Sequence, residues 1–193
     1  MKLIYIDTET TGTDAKLNGI IQLAGIIEAN DDIREFNFKI KPFDGDIIED
    51  RALEVSHTTR EMLDGYMSPT EAHLAFTTLL SYFVSKFDRQ DKFFFIGYNA
   101  HFDYEFIYQW FLKAGDKYCG SWFWYPPIDV MAISGFSLME KRSSLPNFKL
   151  GTVAEFLGIK SDGELHDAMT DIKLTKKLYE HFSGKGKAND TGN

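Results

Sequence analysis

The amino-acid sequence predicts an α/β domain with a central mixed five-stranded sheet flanked by helices. Three strand-like segments open the chain with short links between them, which favours an antiparallel meander. Helix-like and strand-like segments then alternate, as expected when helices cover the faces of a mixed sheet. The chain has 193 residues and is 44% hydrophobic, which suffices for one domain with a substantial core.

The predicted meander strands occupy residues 2–8, 20–29 and 35–41, which read KLIYIDT, IIQLAGIIEA and EFNFKIK. These runs are rich in isoleucine and aromatic residues and contain no proline, which is typical of strands.

A helix and a buried strand are predicted next. Apolar residues at helical spacing indicate a helix over residues 69–87 with one buried face. They are Phe76, Leu79, Leu80, Phe83, Val84 and Phe87. The segment FFFIGYN at 93–99 is short and nearly all apolar, which predicts a strand buried on both faces.

The remaining elements follow the same alternation. Helical spacing of four large apolar residues predicts a helix that ends near Gly115. Residues 121–131 predict a strand or extended segment that is broken by its Pro-Pro pair. Helices are expected near 149–157 and 167–182.

Composition excludes several classes of protein. A net charge of −8 argues against a long non-specific DNA-binding face, although it is compatible with an enzyme that acts on nucleic-acid ends. Cys119 is the single cysteine, which excludes an internal disulfide and a cysteine-based zinc cage. Neither a membrane-spanning run nor a signal-peptide pattern is seen, so we expect a cytoplasmic protein without a membrane partner.

Two carboxylates follow the first predicted strand. Asp7 and Glu9 are two residues apart, so on a strand both side chains project from one face. Two ionised carboxylates about 4 Å apart repel by roughly 4 kcal/mol at an effective dielectric near 20. A buried pair therefore needs a cation or raised pKa values. The alternative is a solvated boundary between strand and turn.

Two further acidic clusters lie at predicted helix starts. Asp103 follows the buried strand, and Asp171 lies near the start of the last helix behind His166. Each has a structural alternative, because acids in a first helical turn are stabilised by the helix dipole. Asn99 and Asp167 suit helix caps, and a lone histidine at a helix start is often structural.

The conjunction of the three clusters favours a metal site. Each falls at the end of a predicted element, so one aspartate from each could converge at one edge of the sheet. Oxygen-only ligands select hard cations such as Mg²⁺ or Mn²⁺. Four carboxylates can hold two such ions in the arrangement used for in-line attack on a phosphodiester, with a nearby histidine as base.

These residues resemble a known family. The segments IDTETTG, NAHFD and HDAMTD are similar to the three exonuclease motifs of the DEDDh, or DnaQ-like, 3′→5′ exonucleases. That group includes the polymerase III epsilon proofreading subunit, ribonuclease T and oligoribonuclease. The resemblance implies a ribonuclease H-like fold. We expect an exonuclease domain over residues 1–183, followed by a disordered polar tail at 184–193.

The resemblance also implies catalytic roles. Asp7, Glu9 and Asp171 would bind two Mg²⁺ ions, with Mn²⁺ as a substitute, and Asp103 would bind directly or through water. His166 would act as the general base of a two-metal-ion hydrolysis.

A substrate pocket is implied as well. Backbone groups near Thr8 and Thr10 would hold the terminal 3′ nucleotide, while Asn99 and Phe102 would support or line the pocket. Gln22 departs from the family, in which a glutamate is common at this position of the second strand.

The expected function is therefore a 3′→5′ exonuclease that releases nucleoside 5′-monophosphates from single-stranded or frayed 3′ ends. DNA is slightly favoured over RNA, and a polymerase or replication partner is a further expectation. Three alternatives stay open: an RNA-directed exoribonuclease of the same family, a phosphodiesterase for small nucleotides, and a non-catalytic module that binds nucleic-acid ends or a polymerase.

Overall fold

A five-stranded mixed sheet forms the centre of the structure. The computed structural model describes residues 1–163 and 167–184. The strands are β1 (Leu3–Thr10), β2 (Ile20–Ala29), β3 (Asp32–Lys39), β4 (Phe93–Gly97) and β5 (Phe123–Asp129). They lie in the order β3-β2-β1-β4-β5. The first three are antiparallel, while β4 is parallel to β1 and β5 to β4. The predicted meander and the mixed five-stranded sheet are confirmed.

Helices cover both faces of this sheet. They are α1 (Asp50–Val55), α2 (Arg60–Asp64), α3 (Pro69–Ser81), α4 (Ala100–Lys113), α5 (Val130–Ser137), α6 (Leu150–Phe156) and α7 (Ala168–Ser183), with 3₁₀ turns at Cys119–Ser121 and Met139–Ser144. One hydrophobic cluster joins α3 and α4 to one face of the sheet, and a second joins α5, α6 and α7 to the other. None of the described helices is long and apolar enough to cross a membrane.

Alternation along β1 assigns its side chains to the two clusters. Ile4 and Ile6 belong to the cluster under α3 and α4, whereas Leu3 and Tyr5 belong to the cluster under α7. Successive side chains of a strand point to opposite faces, so the same alternation continues beyond Ile6. Asp7 therefore continues the α7 side of the strand beyond its buried apolar part.

The helix predicted over 69–87 is shorter than expected. It begins with a capping box between Ser68 and Glu71 and ends at Ser81. Phe83 still reaches the core from the turn that follows. A second turn, in which the backbone N–H of Ser85 donates to the Asp91 carboxylate, then leaves Phe87 88% exposed.

The predicted break at the Pro-Pro pair appears in the pairing of the last strand and not in its extent. Strand β5 continues through Pro126 and Pro127, but its register with β4 shifts at this point, so that Ile128 lies opposite Ile96. The strand lies at the edge of the sheet, where prolines and bulges are tolerated. Sequence patterns also missed α1, α2 and α5, which are only five to eight residues long.

Two expectations fall on other parts of the chain. The tail predicted at 184–193 lies outside the described residues, apart from Gly184. His166 also lies outside them.

Candidate active site

Three carboxylates meet where the end of β1 faces the start of α7. Asp7 and Glu9 project from the same face of β1, and Asp171 lies in the first turn of α7. One carboxylate oxygen of each side chain lies within 4.8 Å of the other two. Residues separated by more than 160 positions therefore form one cluster, as the sequence predicts.

Asp103 approaches β1 from the opposite side of the sheet. It lies in the first turn of α4 and is 3% exposed. Its Oδ1 accepts hydrogen bonds from the backbone N–H of Thr8 at 2.9 Å and from the Thr8 hydroxyl at 2.8 Å. The backbone donor is free because β4 pairs with β1 only along Leu3–Tyr5. Burial raises the pKa of Asp103 to about 7, although both hydrogen bonds from Thr8 lower it.

Burial and repulsion also raise the pKa values of the cluster. Burial raises the pKa of Asp7 well above its usual range, and the charges of Asp103 and Glu9 add to this effect. The pKa of Glu9 is raised to about 7, first by burial and then by Asp171, against an opposing effect of Lys39. Without a cation, the ionised form of this site is therefore strained electrostatically.

The donor set fits divalent metal ions. Within the described part of the chain, these three carboxylates are the one group of three or more acidic, histidine or cysteine side chains close enough to share an ion. All their ligand atoms are oxygens, which suits hard cations such as Mg²⁺ and Mn²⁺. Bound cations would also remove the repulsion that raises the pKa values.

The start of α4 is held by a carboxylate from the neighbouring strand. Asn99 occupies the N-cap position in a left-handed conformation, which asparagine tolerates better than most residues. Its side chain makes no capping hydrogen bond, but its backbone N–H donates to Asp129 Oδ1 at 3.0 Å. The same oxygen accepts from the N–H of Met131 at 2.9 Å. Asp129 thus holds the end of β4 to the end of β5, at the point where the helix that carries Asp103 begins.

A cleft of about 480 Å³ opens beside Glu9. Its walls come from the end of β1, from α1 and from the start of α4. The lining residues are Thr8, Glu9, Thr10, Gly12, Thr13, Glu49, Arg51, Ala52, Val55 and Phe102. Phe102 packs against Phe106 with ring centroids 4.8 Å apart, and so presents a supported aromatic wall to the cleft.

The α1 wall is tied to the turn that follows β1. The backbone N–H of Glu49 donates to the Thr11 carbonyl at 2.8 Å. Asn18 Nδ2 donates to the carbonyl of Ile47 at 2.9 Å and to Glu49 Oε1 at 3.3 Å. Gly12 lies directly beneath this contact, because a Cβ there would meet Glu49 Oε1 at 2.2 Å. The glycine of the first motif therefore permits close packing of two segments.

The predicted substrate residues are only partly brought together. Thr8, Thr10 and Phe102 line the cleft, whereas Asn99 does not. Both hydrogen-bond donors of Thr8 are already engaged by Asp103. The sequence reasoning missed Arg51 because it assigned no helix to that segment. Its signal was the helix-compatible run DRALEV with an acid in the first turn.

Comparison with known families and proteins agrees with this site. A family model described as "Exonuclease" matches residues 4–179. Two relatives named "DNA polymerase III PolC-type", from Thermotoga petrophila and Thermotoga maritima, are each 28% identical over 180 residues. The match covers 93% of this chain but only 12% of each relative.

Solved structures of E. coli Exonuclease I share the fold. The complex with a dT13 oligonucleotide has a TM-score of 0.73 at 20% identity and covers 96% of this chain and 42% of that one. The zinc-bound complex with single-stranded DNA has a TM-score of 0.74 at 19% identity and covers 98% and 41%. The expected ribonuclease H-like fold and the resemblance to DnaQ-like exonucleases are both confirmed.

Proposed function

The chain belongs to the exonuclease family, and we propose that it is a metal-dependent 3′→5′ exonuclease of single-stranded or frayed DNA ends. The product would be a nucleoside 5′-monophosphate. The observation that carries the proposal is the cluster of Asp7, Glu9 and Asp171 beside an open cleft that Glu9 also lines. A scissile phosphate at the cluster would leave the terminal nucleotide in that cleft.

Four carboxylates would hold the cations in this reaction. Asp7, Glu9 and Asp171 would provide the shared ligands, with Asp103 as the fourth beside Asp7. Bound divalent cations supply positive charge that offsets the charge developing on the attacked phosphodiester. Mg²⁺ is the proposed physiological ion, and Mn²⁺ would replace it.

Hydrolysis breaks one bond and forms one. A water oxygen attacks the phosphorus atom between the last two nucleotides, and the bond from phosphorus to the upstream 3′ oxygen breaks. His166 would take a proton from the attacking water, since the pKa of histidine lies near working pH. The upstream 3′ oxygen gains a proton and becomes the new 3′ end.

The cleft suits a single nucleotide. Phe102 and Val55 offer apolar surface to the base or sugar, and exposed aromatic surface suits stacking. Arg51 is a cation in this wall with no acidic partner within the described residues. Its guanidinium offers five hydrogen-bond donors to the polar edge of the nucleotide.

The preference for single-stranded DNA rests on charge and on relatives. A chain with a net charge of −8 has little basic surface for gripping long duplex. The fold neighbours include Exonuclease I bound to oligonucleotides such as dT13, and the sequence relatives carry the name of a DNA polymerase. Association with a polymerase is a further part of the proposal. In the relatives named as a DNA polymerase, the segment that matches this chain makes up only 12% of the length.

A time course on 5′-labelled strands tests the proposal. Single-stranded DNA and RNA of equal sequence are incubated with the protein in Mg²⁺, in Mn²⁺ or in EDTA. We expect a metal-dependent ladder that shortens from the 3′ end and advances faster on DNA. Faster digestion of RNA would instead make the protein an exoribonuclease. Absence of cleavage by folded, metal-loaded protein would overturn the enzymatic proposal.

A further inference from the structure

A row of polar side chains crosses the sheet beside the carboxylate cluster. Glu9 pairs directly with Gln22 on β2, and Gln22 pairs directly with Lys39 on β3. Directly opposed residues of antiparallel strands project from the same face. The row therefore lies on the side of the sheet that α7 covers, and it begins at Glu9, which is one of the three candidate metal ligands.

Gln22 is buried in this row and its amide is fully engaged. Gln22 is only 2% exposed. Its oxygen accepts a hydrogen bond from Lys39 Nζ at 2.7 Å. Its Nε2 donates to Asp167 Oδ1 at 3.1 Å and to Asn37 Oδ1 at 3.0 Å. The lysine and the two acceptors thus determine which way the amide faces.

Asp167 connects this amide to the start of α7. Its other oxygen, Oδ2, accepts from the Thr170 backbone N–H at 3.1 Å and from the Thr170 hydroxyl at 3.2 Å. Its carbonyl accepts from the N–H of Asp171 at 2.9 Å. One carboxylate therefore caps the helix with one oxygen and binds the sheet with the other.

We propose that Gln22 is a positioning residue that holds the first turn of α7, and with it Asp171, in register with Asp7 and Glu9. Lys39 orients the Gln22 amide so that its donor side faces Asp167. The expected effect on kcat rests on the proposed function. The expected effect on Mn²⁺ affinity does not, and it can be measured without any turnover.

The chemistry of the contact explains why an amide serves here. A glutamate at position 22 would place one carboxylate against another, which is repulsive at hydrogen-bonding distance. An amide supplies an acceptor to Lys39 and a donor to Asp167 at once. Conversely, a glutamate at 22 would suit an asparagine at 167, whose amide nitrogen would donate to the sheet while its oxygen caps α7.

Exchange of the two partners tests the proposal. Gln22→Glu is expected to lower kcat and to weaken Mn²⁺ binding by roughly 10- to 100-fold, which is the typical cost of losing a group that orients a metal ligand. Asp167→Asn alone loses one of its two contacts and is expected to show a smaller defect. The double variant Gln22→Glu/Asp167→Asn restores both contacts and is expected to recover at least about 10-fold of the loss, since coupled neighbours are not additive.

Several readouts separate positioning from stability. Mn²⁺ affinity is measured by titration without substrate, and kcat is measured on single-stranded DNA. The melting temperature in EDTA reports the stability of the metal-free protein. Gln90→Glu adds the same charge on an exposed loop and is the matched control. Lys39→Met is a second variant that leaves the buried glutamine in place, and it is expected to weaken Mn²⁺ binding in the same direction.

The outcomes decide the matter. Rescue of both Mn²⁺ affinity and kcat in the double variant supports positioning. Wild-type metal affinity in Gln22→Glu, or a double variant no better than Gln22→Glu, would overturn it. If the wild-type protein binds Mn²⁺ but cleaves no nucleic acid, the proposed function fails while the metal-affinity comparison still tests this inference.

Discussion

Asp103 accepts both hydrogen bonds that the backbone and side chain of Thr8 can donate, at 2.9 and 2.8 Å. The two residues come from different elements, since Thr8 lies on β1 and Asp103 in the first turn of α4. Their contact fixes the start of α4 against β1, on the face of the sheet opposite to the one from which Asp7 and Glu9 project. It also favours the ionised form of a carboxylate that burial would otherwise hold protonated.

Thr8→Val should lower both the free energy of unfolding and kcat. Valine has the same shape but lacks the hydroxyl, so the buried Asp103 carboxylate loses a charge-assisted hydrogen bond worth about 1.5–3 kcal/mol. We expect the free energy of unfolding at pH 8 to fall by about this amount, and kcat to fall with it. Urea unfolding in EDTA measures the first and steady-state kinetics the second. Thr78→Val, on an exposed turn of α3, serves as control. Equal stability in both variants would contradict the role given to Thr8.

Asp7→Asn should abolish activity and stabilise the metal-free protein. The pKa of Asp7 is raised because its charge is buried beside Asp103 and Glu9. The neutral isostere removes that repulsion, so the melting temperature in EDTA at pH 8 is expected to rise. Turnover is expected to fall by at least about 1000-fold, because one of the carboxylates that would hold the metal ions is lost. A lower melting temperature in EDTA would show that the cluster is not repulsive.

Stability of the metal-free protein should decrease as pH rises from about 4 to about 7. Glu9 and Asp103 have pKa values of about 7 in the folded protein, against the ordinary values of 4.5 for glutamate and 3.8 for aspartate. Between those limits the folded state binds more protons than the unfolded state, so raising the pH favours unfolding. Thermal melts in EDTA across this range measure the slope. Saturating Mg²⁺ should reduce it, and the largest stabilisation by Mg²⁺ is expected above pH 7.

His166→Ala should impair chemistry and spare metal binding. A general base contributes typically about 100- to 10,000-fold to a rate, so kcat should fall within that range. Mn²⁺ affinity, measured without substrate, should stay within about twofold because histidine is not among the proposed oxygen ligands. His181→Ala, on an exposed position of α7, is the control. Unchanged turnover in the His166 variant would exclude it as the base.

Arg51→Ala should raise KM with little change in kcat. The residue lines the cleft and not the carboxylate cluster, so its contacts are made with the bound nucleotide in ground state and transition state alike. A loss of about 1.4 kcal/mol corresponds to a tenfold increase in KM.

Substrate length locates the contact of Arg51. An increase of equal size on a dinucleotide and on a long strand would place the contact on the terminal nucleotide. An increase confined to long strands would contradict that placement. Arg89→Ala, in the loop that follows Phe87, controls for the lost charge.

Much of the fold was predictable because its signals are local. Strand alternation placed Asp7 and Glu9 on one face. Helical periodicity identified α4, whose first turn carries Asp103, and the helix expected over 167–182 corresponds to α7, whose first turn carries Asp171. Short helices escaped because a stretch such as α1 spans fewer than two turns and shows no periodicity. The predicted helix over 69–87 is longer than α3 because Phe83 is buried from the turn that follows the helix. Its position in the sequence happens to match helical spacing.

By itself the sequence determined the order of the five strands and the longer helices, and the assignment of the three acidic motifs to strand and helix ends, since these depend on neighbours within a few residues. Tertiary structure alone decided that Thr8 binds Asp103, that α1 walls the cleft and that Gln22 meets Asp167. These contacts join residues from about 40 to 145 positions apart. They depend on strand register and on how helices pack over the sheet, which no local pattern encodes.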